Sequence, residues 1–217
     1  MNVGMILSGG SGTRFGGNLP KQYHDLCGKE IVAYSVEALK GAQQIDAVLI
    51  VADPTYTAVL HEKYDVVCIS GDKTRNGSLR KGLECIKNTF PDCEKVFITE
   101  AARPFLTSGL VEEYLSFLDD YDAVITTKQI TDSLGKHGEA VTRREEYYLI
   151  QAPEAFHFSS LYQCFRADSP VTATVQQLPV ERKVLNYEDF RNNLKITYPE
   201  DIVIAEYLMK MRKEAQD

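Results

Sequence analysis

Ser8-Gly9-Gly10-Ser11-Gly12-Thr13-Arg14 follows a short apolar run at residues 1–7, and Gly16-Gly17-Asn18-Leu19-Pro20-Lys21-Gln22 comes close behind. A strand that empties into a glycine-rich loop exposes backbone N–H groups with no side chain in front of them, and such a nest holds phosphate oxygens. Arg14 and Lys21 place two cations in the same loop. The plain reading of a glycine-rich loop is a flexible turn. An Arg and a Pro-Lys pair at these spacings argue instead for a triphosphate site.

Two commoner phosphate loops are excluded by spacing. A P-loop requires a Gly-Lys followed by Ser or Thr, and no such triplet occurs. The dinucleotide fingerprint requires a third glycine where Phe15 stands.

The loop needs a scaffold, and the apolar pattern supplies one. Residues 47–51 (Ala-Val-Leu-Ile-Val), 66–69 and 96–99 lack period-2 polarity, as expected of strands buried on both faces of a parallel sheet. Helical spacing lies between them at 31–42, 55–64 and 78–86, the last placing Leu79, Leu83 and Ile86 on one face. A helix over 108–118 is expected to start on a Ser108 N-cap with Glu112 in its first turn. The last helix is expected to start at Pro199-Glu200-Asp201 and run to about Lys213. After residues 123–126 the rhythm breaks. Turn material at Asp132-Ser133 and Lys136-His137-Gly138 predicts a β-hairpin or arm at about 128–150. With no linker or repeat, residues 1–217 read as a single α/β domain: a Rossmann-like open, mostly parallel sheet flanked by helices, with an inserted β-arm. Ligands bind such sheets at the carboxyl ends of the strands. Polar clusters at 9–21, 71–78 and 100–104 follow strand ends and are expected to share one crevice.

A chain of 217 residues can bury a full sheet core, and 44% hydrophobic with 25% charged residues is ordinary for a soluble globular protein. The net charge of −7 argues against a nucleic-acid partner, and a basic pocket in an acidic body suits a small anionic substrate. No segment approaches the ~20 apolar residues of a membrane span, and no export leader is visible. Five scattered cysteines without C-x-x-C read as free thiols, and the four histidines show no metal spacing. A cytoplasmic location is expected.

Gly9–Arg14, Pro20-Lys21-Gln22, Gly71 with Arg75 and Ser78, Ala101-Ala102-Arg103-Pro104, and Asn193-Leu194-Lys195-Ile196-Thr197 before Pro199-Glu200-Asp201 occur in one order along the chain. In these blocks it resembles the polyol-phosphate cytidylyltransferases, the family of the 2-C-methyl-D-erythritol 4-phosphate and ribitol-5-phosphate enzymes, over nearly its whole length. The departures are equally specific. The family's His-Asp is Thr99-Glu100 here, its Thr-Pro-Gln is Ala152-Pro153-Glu154, and its Thr-Asp-Glu-Ala-Ser is Thr172-Ala173-Thr174-Val175-Gln176. The CTP half is well kept and the acceptor half is altered.

The resemblance implies in-line attack of a phosphomonoester oxygen on the α-phosphate of CTP, with pyrophosphate leaving. The barrier between two anions is largely electrostatic, so Arg14, Lys21 and Lys195 are the expected catalytic cations. An ionised phosphate needs no general base. Ser8, Gly9, Gly10 and Gly12 would hold the nucleotide, and Gly71 and Ser78 would read cytosine. Glu100, Arg103, Arg144 and Thr172 would serve the acceptor, with Thr142 beside Arg144. Mg2+ is expected on the triphosphate, with Glu100 as its candidate ligand. Plainer readings stand beside these: Glu100 in a salt bridge to Arg103, Arg103 as a structural clamp, Lys195 as an edge residue. A hairpin arm alone is marginal in water, and the family's arms reach a neighbouring subunit, so a homodimer is expected.

Two rival readings differ in class. A sugar-1-phosphate nucleotidylyltransferase shares the opening Gly-Gly-x-Gly-Thr-Arg but usually carries a longer sugar-binding domain. A non-catalytic nucleotide-binding relative would account for the altered segments but would need fewer cations. Asn18-Leu19, Arg75-Asn76 and Phe105-Leu106-Thr107 lean toward the ribitol-phosphate relatives.

Overall fold

The computed structural model describes residues 1–10 and 12–214; Ser11, read above as part of the glycine loop, lies outside them. Strand β1 (Asn2–Ser8) runs into the loop, a 3-10 turn at Lys21–Tyr23, and a small hairpin of β2 (Asp25–Leu26) and β3 (Lys29–Glu30). Helices and strands then alternate: α1 (Ile31–Lys40), β4 (Ala47–Ala52), α2 (Thr57–Tyr64), β5 (Val67–Ser70), α3 (Arg75–Thr89), β6 (Lys95–Glu100). The remaining elements are α4 (Ser108–Phe117), β7 (Ala123–Gln129), β8 (Tyr148–His157), α5 (Phe158–Cys164), β9 (Val184–Tyr187) and α6 (Glu200–Glu214).

The seven-stranded sheet has the order β5-β4-β1-β6-β8-β7-β9. β5, β4, β1 and β6 are parallel, and β8 runs against both of its neighbours. From β1 the chain moves outward through β4 to β5, then returns to the far side of β1 as β6. The switch point therefore opens at the carboxyl end of β1, where the glycine loop begins.

Alternation along the strands feeds two cores. Val3, Met5, Leu49, Val51, Val96 and Ile98 pack with Leu79, Leu83 and Ile86 of α3. Ile6, Val48, Ile50 and Phe97 pack with Val32 and Leu39 of α1 and with Val111 and Tyr114 of α4. Both faces are buried, which is why the runs carry no period-2 polarity. Helix α3 lies tight on the sheet, since a Cβ at Gly82 would come within 2.6 Å of Met5 Sδ.

Several expectations change. Helix α3 starts at Arg75, capped by the Thr74 hydroxyl, which accepts from Gly77 N at 2.9 Å. Thr107, not Ser108, caps α4. The Lys195 segment joins no strand of the sheet, and Ile196 N donates to the Ala102 carbonyl at 2.9 Å. The arm is not a β-hairpin beyond its root. Ladder pairing of β7 with β8 ends at Gln129 and Tyr148, and residues 130–147 hold only a 3-10 turn at Arg144–Glu146. That stretch has no alternating apolar residues to face a partner strand, and its Val141 is 78% exposed.

The β7–β8 ladder shifts register between Ile125 and Thr126. Thr126 Oγ1 donates to the Pro153 carbonyl at 2.8 Å, so Tyr114 Oη donates to Thr126 at 2.7 Å. Tyr114→Phe removes one donor and should cost about 1 kcal/mol, whereas Thr126→Val orphans both a carbonyl and a hydroxyl and should cost about 2–3 kcal/mol. Urea midpoints at unchanged m check this order; equal losses would contradict it.

Candidate functional site

A cavity of about 840 Å3 opens over the carboxyl ends of β5, β4, β1 and β6. Ser8, Gly9, Gly10, Gly12, Arg14 and Lys21 form one wall. Gly71 and Ser78 lie toward β5, and Glu100 and Lys195 toward β6.

The glycine loop is braced from below. Buried Gln22 donates from Nε2 to the Ser8 carbonyl at 2.7 Å and to the Gly10 carbonyl at 3.1 Å. Tying these carbonyls back limits how the loop can turn away from the cavity. Gly12 has φ of +67°, and its carbonyl accepts from Phe15 N at 2.8 Å, closing a turn that a side chain would strain. Phe15, which breaks the dinucleotide fingerprint, is the loop's anchor. It packs with Leu26, Ile31, Phe105, Ile196 and Ala205 in a third hydrophobic cluster.

Lys21 sits on the 3-10 turn that Pro20 starts, half-buried. Burial, then Lys195 and Arg14, lower its ammonium below the ordinary lysine value, against the pull of Glu100 and Asp201. Lys195 alternates with Leu194 and buried Ile196 and so turns toward the cavity. Asp201 Oδ2 accepts from Thr197 N and Tyr198 N at 2.7 and 2.8 Å, fixing the turn into α6 beside it.

Glu100 collects the cations on the β6 side. Its Oε2 lies 2.8 Å from Lys195 Nζ and 3.1 Å from Arg103 Nε, and its Oε1 lies 3.8 Å from Arg75 Nε. Burial pushes the carboxyl up, but Lys195, Arg103 and Arg75 together outweigh it and hold the group down to about 2. Behind Arg75 stands Glu154, 2% exposed, which burial pushes up despite that arginine.

Toward β5 the loop is fixed by its own hydroxyls. Ser78 Oγ accepts from Asp72 N at 2.9 Å, and a Cβ on Gly71 would come within 2.9 Å of that oxygen. Gly71 is therefore demanded by close approach.

The residues expected to serve the acceptor and the metal take the following places. Glu100 does not fit a metal ligand, because basic groups face both of its oxygens and a dication would enter against three cations. Among the described residues no cluster of three His, Cys, Asp or Glu side chains could hold a metal. Arg103 is turned away from the cavity: it is 6% exposed, and its Nη1 donates to the Asn193 carbonyl at 2.9 Å. Thr172 is exposed and offers its carbonyl to Arg75. Arg144 bonds to the Thr131 carbonyl within the arm, and neither it nor Thr142 lines this cavity. Sequence reasoning gave no role to the Gln22 brace or the Arg75–Glu154 pair. Their partners lie far apart in the chain; the signals were Gln22 and Arg75 within the matched blocks and Glu154 standing where the resembled family has Gln.

Among the described residues no helix is long and apolar enough to cross a membrane. A family model described as 2-C-methyl-D-erythritol 4-phosphate cytidylyltransferase (IspD) matches residues 3–211. The chain is 30% identical over 223 residues to the protein of that name from Caldicellulosiruptor bescii, covering 95% of this chain and 96% of that one. It is likewise 30% identical over 221 residues to the one from Thermotoga neapolitana, covering 97% of each. Its fold matches the crystal structure of 4-diphosphocytidyl-2C-methyl-D-erythritol synthase from Anaerococcus prevotii with a TM-score of 0.82 over 96% of each chain, at 23% identity.

The Glu100 ion cluster makes stability depend on acid pH. A carboxyl held at about 2 against an ordinary 4.5 contributes stability that is complete above 4.5 and lost as pH falls through 2. The contribution is on the order of 3 kcal/mol. Glu154, shifted up, acts in the opposite sense and loses stability as pH rises. Thermal midpoints should fall between pH 4.5 and 2, with Glu100→Gln less stable at pH 7 and flatter across that window. A variant whose midpoint falls as steeply as wild type would contradict the assignment.

Proposed function

The chain belongs to the 2-C-methyl-D-erythritol 4-phosphate cytidylyltransferase family, and we propose that it transfers CMP from CTP to that polyol phosphate as a single-domain enzyme. The observation that carries this reading is Arg14, Lys21 and Lys195 converging with a braced glycine loop on one cavity at the sheet's switch point. The products are the CDP-polyol and pyrophosphate, a step that supplies isoprenoid precursors.

The triphosphate lies along the Gly9, Gly10 and Gly12 amides, with cytosine in the loop between Gly71 and Ser78. A phosphate oxygen of the acceptor forms a bond to the α-phosphorus as the bond to the bridging oxygen of pyrophosphate breaks. Lys21, Lys195 and Arg14 offset the repulsion between the two anions and stabilise the charge on the five-coordinate phosphorus. Glu100 orients Lys195 and leaves the remaining donors of that ammonium to the phosphates. Mg2+ accompanying the CTP substrate would neutralise part of the triphosphate charge, and Arg14, Lys21 and Lys195 would share that task. The reaction belongs to the cytoplasm.

Ribitol 5-phosphate is the second acceptor to test, favoured by Asn18-Leu19, Arg75-Asn76 and Phe105-Leu106-Thr107. Pyrophosphate release should be fast with CTP and 2-C-methyl-D-erythritol 4-phosphate and slow with UTP, because a site built to pair one base edge leaves polar groups unpaired with another. Equal use of CTP and UTP would overturn the base assignment. Lys21→Ala should cut turnover by about two to three orders of magnitude with the fold intact. Near wild-type turnover would remove Lys21 from the chemistry.

The exposed arm is proposed to pack in a homodimer, bringing Arg144 of each copy toward the other's cavity. Tyr147, Tyr148 and Leu149, each 44–49% exposed, are apolar surface at its root. Light scattering should give twice the chain mass at micromolar concentration. A fully active monomer would refute this.

A further inference from the structure

The β6 wall of the cavity is backed by a carboxylate that the reaction does not use. Glu154 Oε2 lies 3.5 Å from Arg75 Nη2, and its Oε1 accepts from Val175 N at 3.2 Å. Arg75 Nη1 donates to the Thr172 carbonyl at 2.9 Å and to the Thr174 hydroxyl at 3.4 Å. Asn76, next in the chain, donates from Nδ2 to the carbonyls of Ser169 and Val171 at 3.0 and 2.9 Å. Among the described residues, the hydrogen bonds of segment 169–175 to anything beyond its sequence neighbours all run through Arg75, Asn76 and Glu154.

Arg75 also lines the cavity. Its guanidinium therefore stands between open space on one side and a buried acid on the other. With nucleotide along the ends of β1, β4 and β5, the second substrate must approach from β6 and β8, where this segment lies. We propose that Arg75 and Glu154 form one charged strut that fixes segment 169–175 as the wall against which the acceptor docks. Both are then positioning residues for the acceptor. Removing Arg75 leaves buried Glu154 without a counter-charge, and removing the Glu154 charge leaves the far end of the Arg75 guanidinium without its acid, so the two should act as a unit. The identity of what docks rests on the cytidylyl-transfer reading; the strut itself does not.

The test compares Glu154→Gln, Arg75→Met and the double variant in the full chain. Glu154→Gln keeps the shape and the acceptor for Val175 N and deletes only the charge, so it serves even if Arg75→Met folds poorly. Each single variant should raise the KM for 2-C-methyl-D-erythritol 4-phosphate about tenfold, and the double variant no further. CTP affinity of Glu154→Gln, which does not line the cavity, should stay within about twofold by calorimetry, and amide exchange across 171–176 should quicken about tenfold in every variant. Additive effects, a matching loss of CTP affinity in Glu154→Gln or unchanged exchange would overturn the strut. A wild type that turns over no polyol phosphate, with exchange still quickened in the variants, would overturn the functional reading and retain the strut.

Discussion

One carboxylate organises the charged half of this molecule. Glu100 has three cations within 4.0 Å, drawn from α3, from the turn after β6 and from the segment before α6. Like charges do not gather in a half-dry cleft without a fixed counter-charge, and the desolvation of Arg103 would be prohibitive if it stood alone. Glu100 thus lets Lys195 and Lys21 share a cavity that keeps an excess of positive charge. It also ties the site to the fold, since Arg103 passes the link on to the Asn193 carbonyl and holds the Lys195 segment against β6.

What could be read from residue order was what backbone geometry demands locally. The glycine loop was legible because an exposed-amide nest needs those glycines beside a strand end, and β1, β4 and β6 were legible because strands buried on both faces cannot hide their composition. The arm was visible only as a break in rhythm; nothing in residues 130–147 specifies a partner, so its lack of ladder pairing was not legible. Pairs such as Arg75 with Glu154, or Gln22 with the Ser8 carbonyl, are tertiary, and spacing does not encode them. β9 and α5 were missed for a related reason: each is short and takes its burial from the sheet it joins.

The departures from the resembled family acquire physical content here. Glu100 is one methylene longer than the family's Asp, and that reach lets one oxygen meet both Arg103 and Lys195. Glu154 in place of Gln converts a neutral acceptor for Val175 N into a charged partner for Arg75. Both changes concern how cations are held, and neither touches the glycine loop.

The seating of Phe15 has a wider effect. Its ring shares a cluster with Ala205 of α6, and Ile202 and Leu208 pack against the same group. The first loop and the last helix of the chain therefore close a single cooperative unit, though nearly the whole sequence separates them. Opening of that helix frees the loop, and any ligand gripped by the loop must in turn deepen the native well of the helix. The chain's two ends are thermodynamically one element, and occupancy at one is felt as stability at the other.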